Sequence, residues 1–148
     1  MIRALLPLLL AGAAFGSVAE DLRNFEGLRL QAYLDTTGHY TVGYGRRCDK
    51  GAVMTKEQAE SALADDITKA EQGARRAFPS YDSQPQHVQD VLTELCFQIG
   101  SAGMRKFVHL GQAIQARDYA LASACLIDSR FHHQCKARCE ALARKLNP

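Results

Sequence analysis

Apolar residues at helical spacing run through most of the chain after residue 54. The segment 54–78 carries one such stripe, formed by Ala59, Leu63, Ile67 and Ala70. Thr55 followed by Gln58 provides a capping box at its start, and Pro79 comes just beyond its end. The pattern therefore predicts one long helix over this segment.

A second apolar stripe predicts a helix that begins near Pro85, a residue suited to a first helical turn, and ends at Gly100. Its members are Val88, Val91, Leu92, Leu95, Cys96 and Ile99. Helical patterns also cover residues 104–115, 117–127 and 132–146. The C-terminal part of the chain is therefore predicted to be almost entirely helical.

The region before the long helix changes its period. Residues 22–30 have a short helical pattern, and residues 39–45 then alternate, so that Tyr40, Val42 and Tyr44 share the face opposite to Thr41. The segment Asp35–Gly38 has the composition of a turn between two strands. We predict an α+β fold: a small lobe with an antiparallel β element, a long connecting helix, and a mostly helical C-terminal lobe.

The first nineteen residues have the pattern of an export segment. Arg3 precedes an apolar run, and small residues follow up to Ala19. We expect residues 1–19 to be a cleaved signal peptide, with the alternatives of an uncleaved anchor that tethers the chain to the inner membrane and of a buried helix. Residues 20–148 are then predicted to form one domain, exported to the periplasm or secreted.

Composition and charge narrow the function classes only slightly. The chain has 148 residues, 47% of them hydrophobic and 23% charged, which is ordinary for a globular protein. A net charge of +2 is too small to indicate nucleic-acid binding, although basic residues gather near the C-terminus. No nucleic-acid partner is therefore expected.

Five cysteines fit an exported chain. Cys96 lies in an apolar helical run and is expected to be a buried thiol, which leaves four cysteines for two disulfides, with three pairings open: Cys48, Cys125, Cys135 and Cys139. The cluster of histidines and cysteines in residues 132–139 also permits zinc binding, but a distant second pair of ligands is not evident. We expect no metal and no cofactor.

Two carboxylates and a hydroxyl lie close together in sequence but on different elements. Glu26 ends a helix, Asp35 lies in a turn and Thr41 lies on a strand. Glycoside hydrolysis uses one carboxyl group as the acid and a second carboxylate to activate water or to stabilise positive charge. The acid should have a pKa raised by burial and by the nearby negative charge. The spacing alone is equally typical of ordinary surface residues.

The stretch FEGLRLQAYLDTTGHYTVGYG, residues 25–45, closely resembles the catalytic segment of the phage-type lysozymes, glycoside hydrolase family 24. It matches the pattern E-G-L-R-L-x-A-Y-x-D-x-x-G-x-x-T-x-G-x-G at every fixed position, and the resemblance extends over most of residues 20–146. The resemblance implies a lysozyme-like fold and a muramidase. Its partner would be the glycan strand of peptidoglycan, in which it hydrolyses the β-1,4 bond from N-acetylmuramic acid to N-acetylglucosamine.

The resemblance also implies roles for individual residues. Glu26 would be the general acid, Asp35 the second carboxylate, and Thr41 the residue that positions water for a single displacement with inversion. Three further residues match substrate-site or supporting positions of the family: Phe97 and Gln98 on the far cleft wall, and Arg138 beside the acid. Core packing for the first two and an ordinary surface arginine for the third are the simpler interpretations.

Some positions depart from the family pattern. Arg46 replaces a histidine that follows G-x-G in many relatives, which puts in doubt the ion pair that this histidine often makes. Glu94 falls at a cleft-wall position where a member of the family has an amide, and Phe131 replaces a tryptophan. Two rival functions remain, an inactive wall-binding protein and a lytic transglycosylase-like enzyme. A monomer is the default expectation.

Overall fold

A three-stranded sheet and a short helix form the N-terminal lobe, and helices form the remainder. The computed structural model describes residues 16–148. The N-terminal elements are α1 (Val18–Glu26), β1 (Arg29–Leu34), β2 (Tyr40–Gly43) and β3 (Arg46–Arg47). The helical elements are α2 (Lys56–Ala77), α3 (Gln86–Met104), α4 (Val108–Gln115), α5 (Tyr119–Ile127), α6 (Arg130–Gln134) and α7 (Lys136–Leu146). The predicted α+β architecture with a long connecting helix is confirmed.

Helix α1 is defined at both ends by local side-chain and backbone chemistry. The Ser17 hydroxyl accepts from the Glu20 amide and the Glu20 carboxylate accepts from the Ser17 amide, a complete capping box. At the other end Gly27 has a φ of 69°, which breaks the helix directly after Glu26. The prediction that this helix continues to Leu30 is wrong, because β1 already begins at Arg29.

The predicted export segment lies largely outside the described residues. Its last residues are described, and they belong to the fold: Ser17 caps α1, and Val18 packs against the core of the N-terminal lobe. A cut after Ala19 would therefore remove the cap and the first two residues of the helix. Within residues 16–148, none of the helices combines the length and the apolar character that a membrane crossing requires.

The sheet has the order β1-β2-β3 and is antiparallel throughout. Thr41 on the central strand pairs with Tyr33 on β1 and with Arg47 on β3. The Asp35 amide donates to the His39 carbonyl at 2.8 Å across the turn that joins β1 to β2. The sheet therefore places Asp35 at a turn and Thr41 in its middle, as the alternating pattern predicts.

The long helix α2 begins with the predicted capping box, in which Thr55 and Gln58 each accept from the other's backbone amide. It ends at Ala77, two residues before Pro79. Helix α3 is interrupted at Gly100, the residue where its end is predicted: the backbone there is non-helical, with a φ of 73°, and a short helical stretch follows to Met104. The single C-terminal helix predicted over 132–146 is two helices, separated by a non-helical backbone at Cys135.

Two hydrophobic cores meet at one aromatic residue. The helical lobe is packed around a large cluster to which helices α2, α3, α4, α5, α6 and α7 contribute. The N-terminal lobe has a small core made by Leu22, Tyr44, Ala59 and Leu63. Phe97 on α3 packs against both clusters. It therefore links the two lobes beside the long helix.

All five cysteines lie within residues 16–148, and each is a free thiol in this structure. The two predicted disulfides are therefore wrong for this structure. The Cys139 thiol instead donates to the Leu126 carbonyl at 3.1 Å, and burial raises its pKa to about 11.

Arg46 makes the ion pair whose presence the sequence left in doubt. Its Nη2 lies 2.8 Å from Oδ1 of Asp66, and its Nε lies 3.1 Å from Oδ2, a two-point contact between β3 and α2. Nη2 also donates to the Ala62 carbonyl at 3.2 Å. The pair therefore fixes the sheet to the long helix, and an arginine keeps its charge throughout the physiological pH range.

Replacing this arginine by the histidine of relatives should make stability depend on pH. In Arg46→His the Asp66 carboxylate would raise the pKa of the imidazole above its unfolded value of about 6.5. The ion pair of the imidazolium with Asp66 then contributes fully to stability below the unfolded pKa. Its contribution of about 1 kcal/mol is lost as the pH rises through the pKa of the imidazole in the folded state. We expect the free energy of unfolding, relative to the parent chain, to fall between about pH 6 and pH 8. Urea unfolding of Arg46→His beside Arg46→Met measures this, and parallel pH curves for the two variants would contradict it.

Candidate active site

Glu26 lies at the junction of α1 with the sheet, where its carboxyl group is half-buried. The backbone of Gly45 passes close to it: a Cβ at this residue would lie 2.8 Å from Oε2 of Glu26. Gly45 also has a φ of 83°, a conformation that favours glycine. Burial raises the pKa of Glu26, and the positive charge of Arg138 lowers it in opposition, with the raising effect dominant.

The cause of the raised pKa of Glu26 differs in part from the expectation. The rise was expected to come from burial together with a neighbouring carboxylate. In the structure it comes from burial, and the nearby charge that acts on Glu26 is the cation Arg138. A carboxyl group with a raised pKa retains its proton closer to neutral pH, which is the condition for a general acid.

Arg138 lies on α7, in the interior rather than on an open surface. Its side chain is buried, and its guanidinium stacks on the Phe25 ring, 4.1 Å from the ring centroid. Its Nη1 lies 3.3 Å from Oε2 of Glu94. Its Nε and Nη2 are buried and find no hydrogen-bond partner among residues 16–148. The interpretation as an ordinary surface arginine is therefore wrong.

Asp35 is held in the ionised form by its own turn. One carboxylate oxygen, Oδ1, accepts from the Thr37 amide at 2.8 Å, from the Thr37 hydroxyl at 2.7 Å and from the His39 amide at 2.9 Å. These hydrogen bonds, with the His39 amide contributing most, lower the pKa of Asp35. The two carboxyl groups of the predicted site thus have pKa values shifted in opposite directions, as acid and charged partner require.

Thr41 is buried in the central strand, with only 4% of its surface exposed. Its hydroxyl Oγ1 is buried and has no hydrogen-bond partner among the described residues. A buried hydroxyl is normally satisfied, because leaving it without a partner costs about 1–3 kcal/mol. The oxygen therefore has both its donor and its acceptor capacity available.

An open cavity of about 670 Å³ lies between the sheet and the helices. The N-terminal lobe contributes Gly45, Arg46 and Arg47 to its lining, α2 contributes residues from Asp66 to Arg76, and α3 contributes Phe97 and its neighbours. Gly45 lines this cleft and its backbone passes close to Glu26, so Glu26 is next to a lining residue, although Glu26, Asp35 and Thr41 do not themselves line the cavity. Phe97 lines this cavity, whereas Gln98 is exposed and does not.

Sequence reasoning missed the close approach of Gly45 and the environment of Glu94. Glu94 was placed on the cleft wall, but it is fully buried in the helical lobe beside Arg138 and Lys145. One signal was available: Glu94 and Lys145 both lie next to apolar residues of a helical stripe, where a charge requires a partner.

The cysteine and histidine cluster near the C-terminus does not form a metal site here. His132 Nε2 lies 3.2 Å from Oε1 of Glu140, an ordinary polar contact between α6 and α7. Within the described part of the chain no group of three histidine, cysteine or carboxylate side chains lies close enough to hold a metal ion.

A small sheet lobe, a long connecting helix and a helical lobe, with an acidic residue next to the lining of the cleft between them, define the lysozyme-like class of α+β proteins. The family model for phage lysozyme matches residues 23–146. The chain therefore belongs to the phage lysozyme family.

Individual relatives agree with this assignment. The chain is 33% identical over 105 residues to an endolysin of Acyrthosiphon pisum secondary endosymbiont phage 1, an alignment that covers 70% of each protein. It is 30% identical over 135 residues to the peptidoglycan hydrolase gp36 of Pseudomonas phage phiKMV, and 28% identical over 149 residues to the pre-baseplate central spike protein Gp5 of Enterobacteria phage T4. These alignments cover 87% and 82% of this chain but only 15% and 26% of the two longer relatives.

The contact between Gly45 and Glu26 gives a matched pair of glycine variants. Gly45→Ala and Gly51→Ala each place a side chain at a positive φ, 83° and 85°, which should cost about 1–2 kcal/mol of stability in both. Only at Gly45 does the new Cβ meet the Glu26 carboxyl group, since nothing lies within 4 Å at Gly51. We expect clearing of a cell-wall suspension to fall about 10²-fold in Gly45→Ala and to persist in Gly51→Ala. Equal rates in two equally stable variants would contradict this geometry.

Proposed function

We propose that this chain is a muramidase that hydrolyses the β-1,4 bond between N-acetylmuramic acid and N-acetylglucosamine in peptidoglycan. The observation that carries the proposal is the half-buried Glu26 with its raised pKa, next to Gly45 in the lining of the interlobe cleft. Membership of the phage lysozyme family supports it, as do relatives named endolysin and peptidoglycan hydrolase.

In the proposed reaction Glu26 donates its proton to the glycosidic oxygen as the bond breaks. Positive charge develops on the sugar ring, and the ionised Asp35 stabilises it. Arg138 would then stabilise the carboxylate that Glu26 becomes, since its positive charge already favours the ionised form. Burial and Arg138 thus have opposite effects on Glu26: burial favours its protonated form before the reaction, and Arg138 favours the carboxylate that remains after the proton is donated.

Thr41 is proposed to hold the water that attacks the sugar. A hydroxyl can accept from the water and donate to it at once, and Oγ1 of Thr41 has no protein partner among residues 16–148 that would compete. Attack by this water on the face opposite the leaving group, with the Asp35 carboxylate accepting the proton that the water loses, would be a single displacement and would invert the anomeric carbon. This chemistry is carried by side chains and requires no cofactor.

The cleft suits a chain of sugars that carry carboxylates. Phe97 provides an apolar surface at the wall, and Arg47, Lys69 and Arg76 give the lining a mostly positive charge, with Asp66 already bound to Arg46. Among the predicted substrate-binding residues, Phe97 fits this role. Arg138 would act on the acid through its charge, and a role for Gln98 would need a glycan that extends beyond the cavity.

The place of action follows from the substrate. Peptidoglycan lies outside the inner membrane, so we propose that the chain acts there as an exported monomer, with residues 1–19 as the export signal or as a tether to the membrane. Residues 20–148 would form the single catalytic domain. Because Ser17 caps α1 and Val18 is its first residue, a chain cut after Ala19 would begin within that helix.

Removal of the acid tests the proposed function. Glu26→Gln cannot donate the proton, and we expect release of reducing ends from purified peptidoglycan to fall by about 10²- to 10⁴-fold. Glu57→Gln, a like change at an exposed residue of α2, should retain the parent rate. Circular dichroism establishes that both variants are folded. Substantial hydrolysis by folded Glu26→Gln would refute the assignment of Glu26 as the acid. A parent chain that binds peptidoglycan without releasing any product would refute the proposed enzymatic activity.

Substitution of the strand hydroxyl tests the water-positioning role. Thr41→Val keeps the shape and removes the hydroxyl, so it should lower kcat about 10²-fold while stability is retained or increased, because the orphaned polar atom is gone. Thr41→Ser keeps the hydroxyl and should retain most of the activity. Steady-state rates on soluble glycan fragments measure the difference, and similar rates for the two variants would argue against this role.

A further inference from the structure

The turn that carries Asp35 contains two side-chain contacts to which the proposed reaction gives no role. The Thr37 hydroxyl Oγ1 lies 2.7 Å from Oδ1 of Asp35 and 3.0 Å from Nδ1 of His39. The backbone amides of Thr37 and His39 donate to the same Oδ1, at 2.8 Å and 2.9 Å. A turn aspartate that accepts from nearby backbone amides is common, so the contacts that need a reason are the two made by side chains.

The direction of these two hydrogen bonds follows from the protons that each group has. Asp35 is held in its ionised form and can only accept, so the Thr37 hydroxyl is the donor in the contact between them. A hydroxyl has one proton, and Oγ1 of Thr37 must therefore accept in its contact with His39. Nδ1 of His39 then carries a proton. The three side chains form a hydrogen-bonded chain from His39 through Thr37 to Asp35.

This hydrogen-bonded chain is compatible with both charge states of His39. A neutral imidazole protonated on Nδ1 donates to Thr37, and so does an imidazolium, whereas the neutral form protonated on Nε2 does not. The contact therefore persists on both sides of the histidine titration. Because His39 occupies the hydroxyl oxygen, the proton of Thr37 stays directed at Asp35.

The two carboxylate oxygens of Asp35 differ in their hydrogen bonding. Oδ1 accepts three hydrogen bonds, so its lone pairs are fully used. Oδ2 has no hydrogen-bond partner among residues 16–148. Three bonds to one oxygen also fix the rotation of the carboxylate about its Cβ–Cγ bond. Asp35 therefore presents one particular oxygen, Oδ2, for further contacts.

We infer that Thr37 and His39 are positioning residues for Asp35: they hold Oδ1, so that Oδ2 is the oxygen that accepts the proton of the attacking water. The water oxygen bonds to the anomeric carbon as the bond from that carbon to the leaving oxygen breaks. One water proton passes to Oδ2, and the proton of Glu26 passes to the leaving oxygen. The role of Oδ2 rests on the proposed function, whereas the hydrogen-bonded chain stands apart from any reaction.

The effect on position can be separated from the effect on base strength. The hydrogen bonds to Oδ1, first that of the His39 amide and then that of the Thr37 hydroxyl, lower the pKa of Asp35. His39 is the one titratable side chain of the described residues whose charge acts on Asp35, and this effect is the smallest. Loss of the Thr37 hydroxyl would thus make Asp35 a stronger base. A fall in rate would therefore report lost position.

Matched substitutions in the turn of the full-length chain test this role. Thr37→Val removes the hydroxyl and keeps both amides. We expect kcat on soluble glycan fragments to fall about tenfold at pH 7 with KM little changed, while the pKa of Asp35 rises toward its ordinary value. Thr37→Ser keeps the hydroxyl and should retain most of the rate. Thr36→Val, a like change at the adjacent exposed residue, should behave as the parent chain. NMR titration of ¹³C-labelled aspartate carboxyl groups, assigned with Asp35→Asn, follows the pKa.

Substitution of His39 tests the second link. The side-chain amide of His39→Asn can place a donor near the position of Nδ1, whereas His39→Leu has none. We expect His39→Asn to keep nearly the parent kcat and His39→Leu to lose it several-fold, less than Thr37→Val. In the parent chain, ¹⁵N NMR should find the proton of the neutral imidazole on Nδ1. A neutral imidazole that carries its proton mainly on Nε2 would overturn the hydrogen-bonded chain.

The remaining outcomes separate position, folding and function. A parent-like kcat in Thr37→Val, shown by circular dichroism to be folded, would overturn the positioning role. Equal losses in Thr37→Val and Thr36→Val would also overturn it, because they would report the stability of the turn. If the imidazole proton and the pKa of Asp35 behave as expected but the parent chain releases no product from peptidoglycan, the hydrogen-bonded chain stands. The proposed function then fails, and the role of Oδ2 fails with it.

Discussion

The proposed function depends on the partial burial of one carboxyl group, that of Glu26 at the end of α1. Burial raises its pKa and the Arg138 guanidinium lowers it, and burial is the stronger effect. A fully exposed glutamate would be ionised at neutral pH, and one paired directly with an unbalanced arginine would be ionised still more completely. The proposed role as an acid requires a pKa between these limits, so the surroundings of Glu26 have to be set within a narrow range.

Several parts of the fold contribute to those surroundings. Gly27 ends α1 directly after Glu26, and Gly45 lets the hairpin backbone pass against the carboxyl group. One turn earlier on α1, Arg23 binds Glu60 of α2 at 2.7 Å, and the hydroxyl of Tyr44 donates to the same carboxylate at 2.6 Å. Helix α1 is thereby bound to the long helix, whose Glu60 also holds the turn between β2 and β3.

The local parts of this arrangement could be predicted from sequence. The capping box at Thr55, the turn at Asp35 and the strand position of Thr41 depend on residues only a few positions apart, and the structure has each of them as expected. The helix end at Glu26 is local as well, although the extension to Leu30 underestimated Gly27. The matched motif indicated Glu26, in the same segment, as the proposed acid.

The remaining features depend on residues far apart in the chain. The contact of Glu94 with Lys145 spans 51 positions, and no period in either helix indicates which charged residue would face which. The number of cysteines suggested disulfides, but a disulfide requires a geometry that residue counts do not contain. The raised pKa of Glu26 likewise arises from packing and from a cation on the last helix, not from its near neighbours in sequence.

The configuration of the sugar at the moment of cleavage tests the central claim most directly. A proton from Glu26 and a water held by Thr41 on the opposite face require inversion, so the cleaved β bond should yield an α reducing end first. Proton NMR of a soluble glycan fragment, recorded before mutarotation equilibrates the anomers, reports this configuration. Initial appearance of the α anomer is the predicted result. Initial appearance of the β anomer, or of a 1,6-anhydro end without a free reducing sugar, would contradict the account.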